Sequence, residues 1–156
     1  MASPWALGAV TSWSALFNSA DMASMTVSYS VLSSVAGIAN GTNLDKFMSV
    51  SAVLACASAA IGAGDNITLW AAGLQADGTT YGDGLLTAGT PANLTPGWSP
   101  VATIPLYAST RTTIIGSMDG ILIPPRTIKF IMQPNIAAAA GLGSGTQTFD
   151  YFTYNP

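Results

Sequence analysis

Charge is what this sequence lacks. Charged residues are 7% of its 156, against about 25% in an ordinary soluble domain. It has no histidine, and its seven acids are all Asp, with no Glu. The basic residues are four: Lys46, Arg111, Arg126 and Lys129. A Ser-His-Asp triad and most general-base schemes need an imidazole, so those chemistries are excluded. Zinc sites draw on Cys and His, and a single Cys56 cannot supply one. One cysteine makes no internal disulfide. Amid Val53, Leu54, Ala55 and Ala57 it reads as a small core hydrophobe. Four scattered cations and a net charge of −3 are poorly suited to neutralising phosphates, so no nucleic-acid partner is expected.

Hydrophobic residues are 49% of the chain and the mean hydropathy is +0.44. Three explanations compete for so apolar a composition. A membrane-spanning helix needs about 20 consecutive apolar residues. The best stretches, 50–63 and 136–142, are shorter and broken by Ser or Gly, and the alternation a membrane barrel requires is patchy. A secretory leader is not expected either, because residues 1–13 lack a basic start and hold Pro4 and Gly8. The third explanation is favoured: much of the surface is covered by neighbouring subunits, since obligate interfaces resemble a domain core cut in half.

The pattern along the chain is that of strands. Residues 25–32 alternate apolar and polar. Met48, Val50, Ala52, Leu54 and Cys56 share a face opposite Ser49 and Ser51. Ile67, Leu69 and Ala71 share another, with Trp70 on the opposite side, pointing outward or toward a second subunit. Residues 101–106 and 112–116 are short β-branched runs. Ile128, Phe130 and Met132 lie opposite Lys129 and Gln133, and residues 149–154 are dense in aromatics. Period-two alternation punctuated by Gly, Pro, Asn and Asp favours strands. Turns are expected at Asn40-Gly41, at 62–66, at 77–84 and at Asp119-Gly120, and Pro124-Pro125 marks entry into a strand. The alanine-rich runs 53–60 and 137–140 have helix propensity but are short. The fold expected is all-β, an antiparallel sandwich or jelly roll of about eight strands.

Residues 1–21 read differently. Trp5, Leu7, Trp13, Leu16 and Phe17 are large apolar groups without a clean period. They suit either an extended arm that packs on another subunit or the first edge strand. The arm is the division adopted, with the sandwich over 22–156.

Most of the Asp residues stand beside Gly or Asn, where Asp serves turns by bonding its own backbone. That leaves little for paired-acid hydrolysis. The segment around Asp77 and Asp83 offers oxygens for calcium but has neither EF-hand spacing nor a bidentate Glu. The glycines at 141, 143 and 145 precede no strong helix and no Lys, so a phosphate cradle is not supported. No enzyme activity and no cofactor are expected. Trp70 and Trp98 join the arm residues as candidate interface positions, although exposed aromatics also suit a sugar-stacking platform.

Two stretches carry a resemblance. Residues 67–84 contain Asp77-Gly78, Tyr81 and Asp83-Gly84. Residues 121–135 contain Ile123-Pro124-Pro125, then Ile128-Lys129-Phe130, then Asn135. Together they resemble the small jelly-roll decoration or cement proteins of tailed-bacteriophage capsids, over roughly residues 45–154. The sequence departs from that pattern at Pro134 and in its alanine run, and the first 20 residues are not covered. The resemblance implies a virion protein on the outer capsid surface, a homotrimer bound to the major capsid protein. A tail, fibre or adhesin module that binds a host glycan is the competing expectation.

Overall fold

The structure, a computed structural model, describes residues 13–22, 29–55, 64–82, 86–93, 100–108, 113–136 and 147–155. Within these the backbone forms strands β1 (Ser14–Phe17), β2 (Val31–Leu32), β3 (Ile38–Ala39), β4 (Phe47–Ala55) and β5 (Asn66–Gly73). Strands β6 (Ala102–Ala108), β7 (Thr113–Leu122), β8 (Thr127–Asn135) and β9 (Thr148–Tyr154) follow. Two single helical turns, α1 (Ser19–Met22) and α2 (Asn40–Asn43), interrupt them. No described helix is long and apolar enough to cross a membrane.

All pairings between these strands are antiparallel. The order is β1-β9-β4-β7-β6-β5-β8-β2, with β3 also on β8. Strand β6 joins two halves of one curled sheet. Its first part, to Pro105, pairs with β5. From Leu106 onward it pairs with β7. Pro105 lacks an N–H to donate, and it sits where the strand changes partner, the position at which a ladder tolerates proline. The curl brings the halves face to face as a sandwich, the all-β class that the alternation predicts.

The core lies between the halves. Met48, Val50, Ala52 and Leu54 from β4 enter it with Ile67 and Leu69 from β5 and Ile128, Phe130 and Met132 from β8. These are the faces read from the sequence. Fully buried side chains of this size each contribute about 1.5–3 kcal/mol relative to exposure.

Four expectations change. First, part of the 1–21 arm belongs to the sandwich: β1 pairs with β9, and Leu16 and Phe17 are buried in the main core. The serine hydroxyls of Ser33 and Ser19 donate to Leu16 O at 2.7 Å and Gln147 O at 2.8 Å, fixing this segment further. Second, Trp70 does not face outward. It is 4% exposed, packed with Leu32, Ala72, Leu86 and Ile131 in a second cluster. The segment around Leu86 is held over β5 and β8 by Gly89 N donating to Leu32 O and by the paired bonds between Ser30 and Ala92. Both faces of β5 are therefore covered. Third, Asp119-Gly120 is not a turn. It is a bulge inside β7, where Met48 and Val50 face Ile121 and Met118 and Gly120 takes a φ of 74°, as bulge glycines do. Fourth, the Asn40-Gly41 turn is the helical turn α2.

Candidate interaction surface

Among the described residues a small cleft between β1 and the β2–β3 side of β8 offers about 10 Å³, which is the room of one water. Among the described residues no three Asp or Cys side chains gather as metal ligands. What the fold does present is a surface, and the register of β9, β4 and β7 defines it.

Since Met48, Val50, Ala52 and Leu54 point inward, their alternates point out. Cross-strand partners share a face. The outer rows are therefore Tyr154, Phe47 and Leu122; then Phe152 and Ser49, opposite the β7 bulge; then Asp150, Ser51 and Ser117; and at the far end Thr148, Val53 and Ile115. Tyr107 extends the far row from β6 as the partner of Ile115. Seven large hydrophobics are exposed among the described residues, and five of them, Trp13, Val53, Tyr107, Ile115 and Leu122, belong to this one face. Single exposed hydrophobics are ordinary; here they gather in two groups, Trp13 and Leu122 toward one end and Val53, Ile115 and Tyr107 at the other, with the row of Asp150, Ser51 and Ser117 between them.

At one end the side chains form an aromatic band. Phe47 stacks on Tyr154 at a centroid distance of 5.8 Å, and Tyr154 neighbours Phe152 at 5.7 Å. Trp13 stands edge-on to Phe152 at 4.8 Å and is 46% exposed. Such edge-on and offset geometries are the favoured ones for aromatic quadrupoles. Leu122, 68% exposed, continues the band as the partner of Phe47.

A polar clasp positions this end. Leu44 closes α2 in the left-handed region at φ 53°, which turns the chain toward β4. The Asn40 side chain, buried, accepts from Asp45 N at 2.8 Å and donates to Asp45 O at 2.7 Å and Pro124 O at 3.0 Å. Asp45 in turn accepts from Thr153 Oγ1 and from Asn155 Nδ2, the latter at 3.0 Å. Lys46 N donates to Asn155 Oδ1 at 3.0 Å. The end of β9 is thus fastened to the start of β4, which sets Tyr154 over Phe47.

Charge on this face is sparse. Asp150 lies in the row of Ser51 and Ser117 and Asp119 in the β7 bulge, while Arg126 and Lys129 belong to the opposite half, at β8. There Lys129 Nζ sits 5.2 Å from the centre of the Tyr81 ring, a cation–π contact. Asp77 is a turn former. Its Oδ1 accepts from Thr79 N and Thr80 N, both at 2.9 Å; the Thr80 hydroxyl first, and then these backbone bonds, lower its pKa to about 2.

Of the residues named from the sequence, Trp13 lies on this surface, Leu16, Phe17 and Trp70 are internal, and Trp5, Leu7 and Trp98 lie outside the described residues, as does Cys56. Phe47, Val53, Tyr107, Ile115, Leu122, Phe152 and Tyr154 were not singled out. A signal for the last two was present: residues 149–154 carry aromatics on both phases of the alternation, so one phase had to face away from the core. No protein-family model, curated protein or solved structure matches the chain.

Proposed function

We propose that this chain is a structural virion protein that decorates the outer capsid lattice and cements the head, bound to the major capsid protein. One observation carries the reading: five of the seven exposed large hydrophobics of the described residues share one sheet face, on which Asp119 and Asp150 also lie, on a chain that is 7% charged. A surface of that kind is tolerable where neighbours cover it. Trp13 supplies the margin of the face where the N-terminal residues begin, and that margin is the lattice contact in this reading. Cement proteins act by mass action, since a ligand of the assembled state alone stabilises only that state.

The test is co-sedimentation of the purified protein with heads stripped of it, followed by heating. Saturable binding to assembled heads, absence of binding to free capsid subunits, and a higher disruption temperature are expected. Heads equally robust with and without bound protein would remove the cementing role.

The same band favours a second reading, a tail, fibre or adhesin module, because sugars stack on exposed aromatic rings such as Trp13. Glycan binding lost on Trp13→Ala would favour it. Immunolabel on the capsid faces would count against it.

A further inference from the structure

We infer that the outer face of β9-β4-β7 takes a segment of a different protein, one that sets a Lys or Arg between two apolar anchors. The inference rests on the reading of the chain as a lattice-bound subunit, and it names the chemistry of the segment bound.

Two carboxylates carry it. Other Asp side chains are engaged inside the fold. Asp21 accepts from Asn18 N and Ser34 N, Asp45 from Thr153 and Asn155, and Asp77 from Thr79 N and Thr80 N. Asp119 and Asp150 differ. Among the described residues no hydrogen bond or cation engages either carboxylate. Both lie on this face, Asp150 in the row of Ser51 and Ser117 and Asp119 in the β7 bulge opposite Ser49. The described cations are elsewhere. Arg126 and Lys129 are at β8, and Lys46 precedes β4 on the phase opposite Phe47. A second copy packed through the same face would bring acid against acid, which like charges oppose. The occupant that answers these carboxylates carries the opposite sign.

Position narrows it. Leu122 is exposed beside Phe47 at one end of the face, and Val53 and Ile115 are exposed at the other. The Phe47 and Val53 rows are six positions apart on β4, about 20 Å at ~3.3 Å per residue. The Asp150 row falls two positions from Val53 and four from Phe47. Alternate side chains of an extended segment point one way. A segment laid along β4 therefore meets the face with an apolar residue, a cation two positions on, and a second apolar residue four beyond that. The cation stands over Asp150. Asp119 is about two strand spacings away, ~10 Å, which is about one Debye length at ~0.1 M salt. Three strands at ~4.8 Å spacing are about 14 Å wide, room for a segment and narrow for a second sheet. The apolar anchors supply affinity in such a contact and the charge supplies specificity.

The experiment has two arms. In the first, the acetylated and amidated heptapeptide Leu-Thr-Arg-Thr-Thr-Thr-Leu is titrated to millimolar concentration into the isotope-labelled full chain. Shifts are expected at Ser51, Val53, Ser117 and the Asp150 carboxyl. Asp150→Asn is expected to weaken binding about two- to fivefold, the worth of an exposed ion pair. Asp77→Asn, in the turn after β5, is expected to bind as the parent does. The same peptide with Glu in place of Arg is expected to leave the face unshifted. No shifts on this face, or equal shifts from the Arg and Glu peptides, overturn the inference. Broadening of these residues with protein concentration alone gives the face to a second copy and overturns it as well. In the second arm, stripped heads are titrated with the parent and Asp150→Asn at low and high salt. Weaker binding of the variant, and of the parent at high salt, is expected; indifference to both overturns the inference. The outcomes separate the two claims. A chain that binds the Arg peptide and ignores heads overturns the capsid reading alone. A chain that coats heads while the two peptides behave alike overturns the basic segment alone.

Discussion

Trp13 stands edge-on to Phe152, with ring centroids 4.8 Å apart and planes at 86°. This contact ties the beginning of the described chain to its last strand and closes the aromatic band at its outer margin. Trp13→Ala is expected to cost about 1 kcal/mol, the value of an aromatic pair beyond area burial, and to weaken binding to heads. Urea unfolding and the near-ultraviolet spectrum check the first effect, and co-sedimentation the second. A variant with parent stability and parent binding contradicts the assignment.

The Asn40 clasp gives a sharper stability test. Its amide serves three backbone groups of Asp45 and Pro124. Asn40→Ala leaves buried groups unsatisfied, at about 1–3 kcal/mol. Amide exchange is expected to rise first at Lys46 and in the last residues of β9, because Asp45 holds that end. Uniform acceleration across all strands would show that Asn40 acts globally and not through the clasp.

Two glycines are expected to respond differently. A Cβ at Gly116 would lie 2.9 Å from Leu106 Cδ2 and 3.0 Å from Pro105 O. That places it against backbone at the strand changeover, so Gly116→Ala is expected to cost about 1–3 kcal/mol by overpacking. The nearest atoms to a Cβ at Gly73 are those of the Arg126 guanidinium, the far end of a flexible side chain that can swing out. Denaturation midpoints should therefore fall much further for Gly116→Ala than for Gly73→Ala. Equal losses would contradict the packing described.

pH acts from both sides. Asp77 has its pKa lowered from 3.8 to about 2 by the Thr80 and Thr79 bonds. Its contribution to the turn is complete above about pH 3.8 and is lost as pH falls through about 2. Tyr151 is raised above its ordinary 10.0 by burial, so its contribution is complete below about pH 10 and is lost as pH rises through the raised value. Carboxyl carbon shifts read the first and ultraviolet difference spectra the second. An Asp77 midpoint at 3.8 would contradict the Asx turn.

The strands were legible where one face is buried. Residues 48–54 alternate because Ser49 and Ser51 stand opposite core positions, and the stretch forms a strand with Met48, Val50, Ala52 and Leu54 inward; in 128–132 the core face also points inward, but Ile131 on the other face is buried in the second cluster. Trp70 was misplaced for a physical reason. Alternation assigns a residue to a face but carries no record of what covers it, and Leu86, sixteen positions on, does the covering. Gly116 and Asp119-Gly120 looked like the end of a strand. In β7 the first is a close approach to β6 and the second a bulge, both uses of glycine that a turn signal imitates. The interaction face was half legible. Trp13 stood out as an aromatic outside any period, whereas Val53 and Ile115 look like core residues until the register sets them outward.

Electron cryo-microscopy of phage particles proposed to carry this chain is the decisive measurement. Density for the sandwich is expected on the outer capsid surface, with Trp13 against the major capsid protein and the β4–β7 face covered by a subunit. Density confined to the tail or fibres, or a sandwich on the capsid whose β4–β7 face stands bare to solvent, would contradict it.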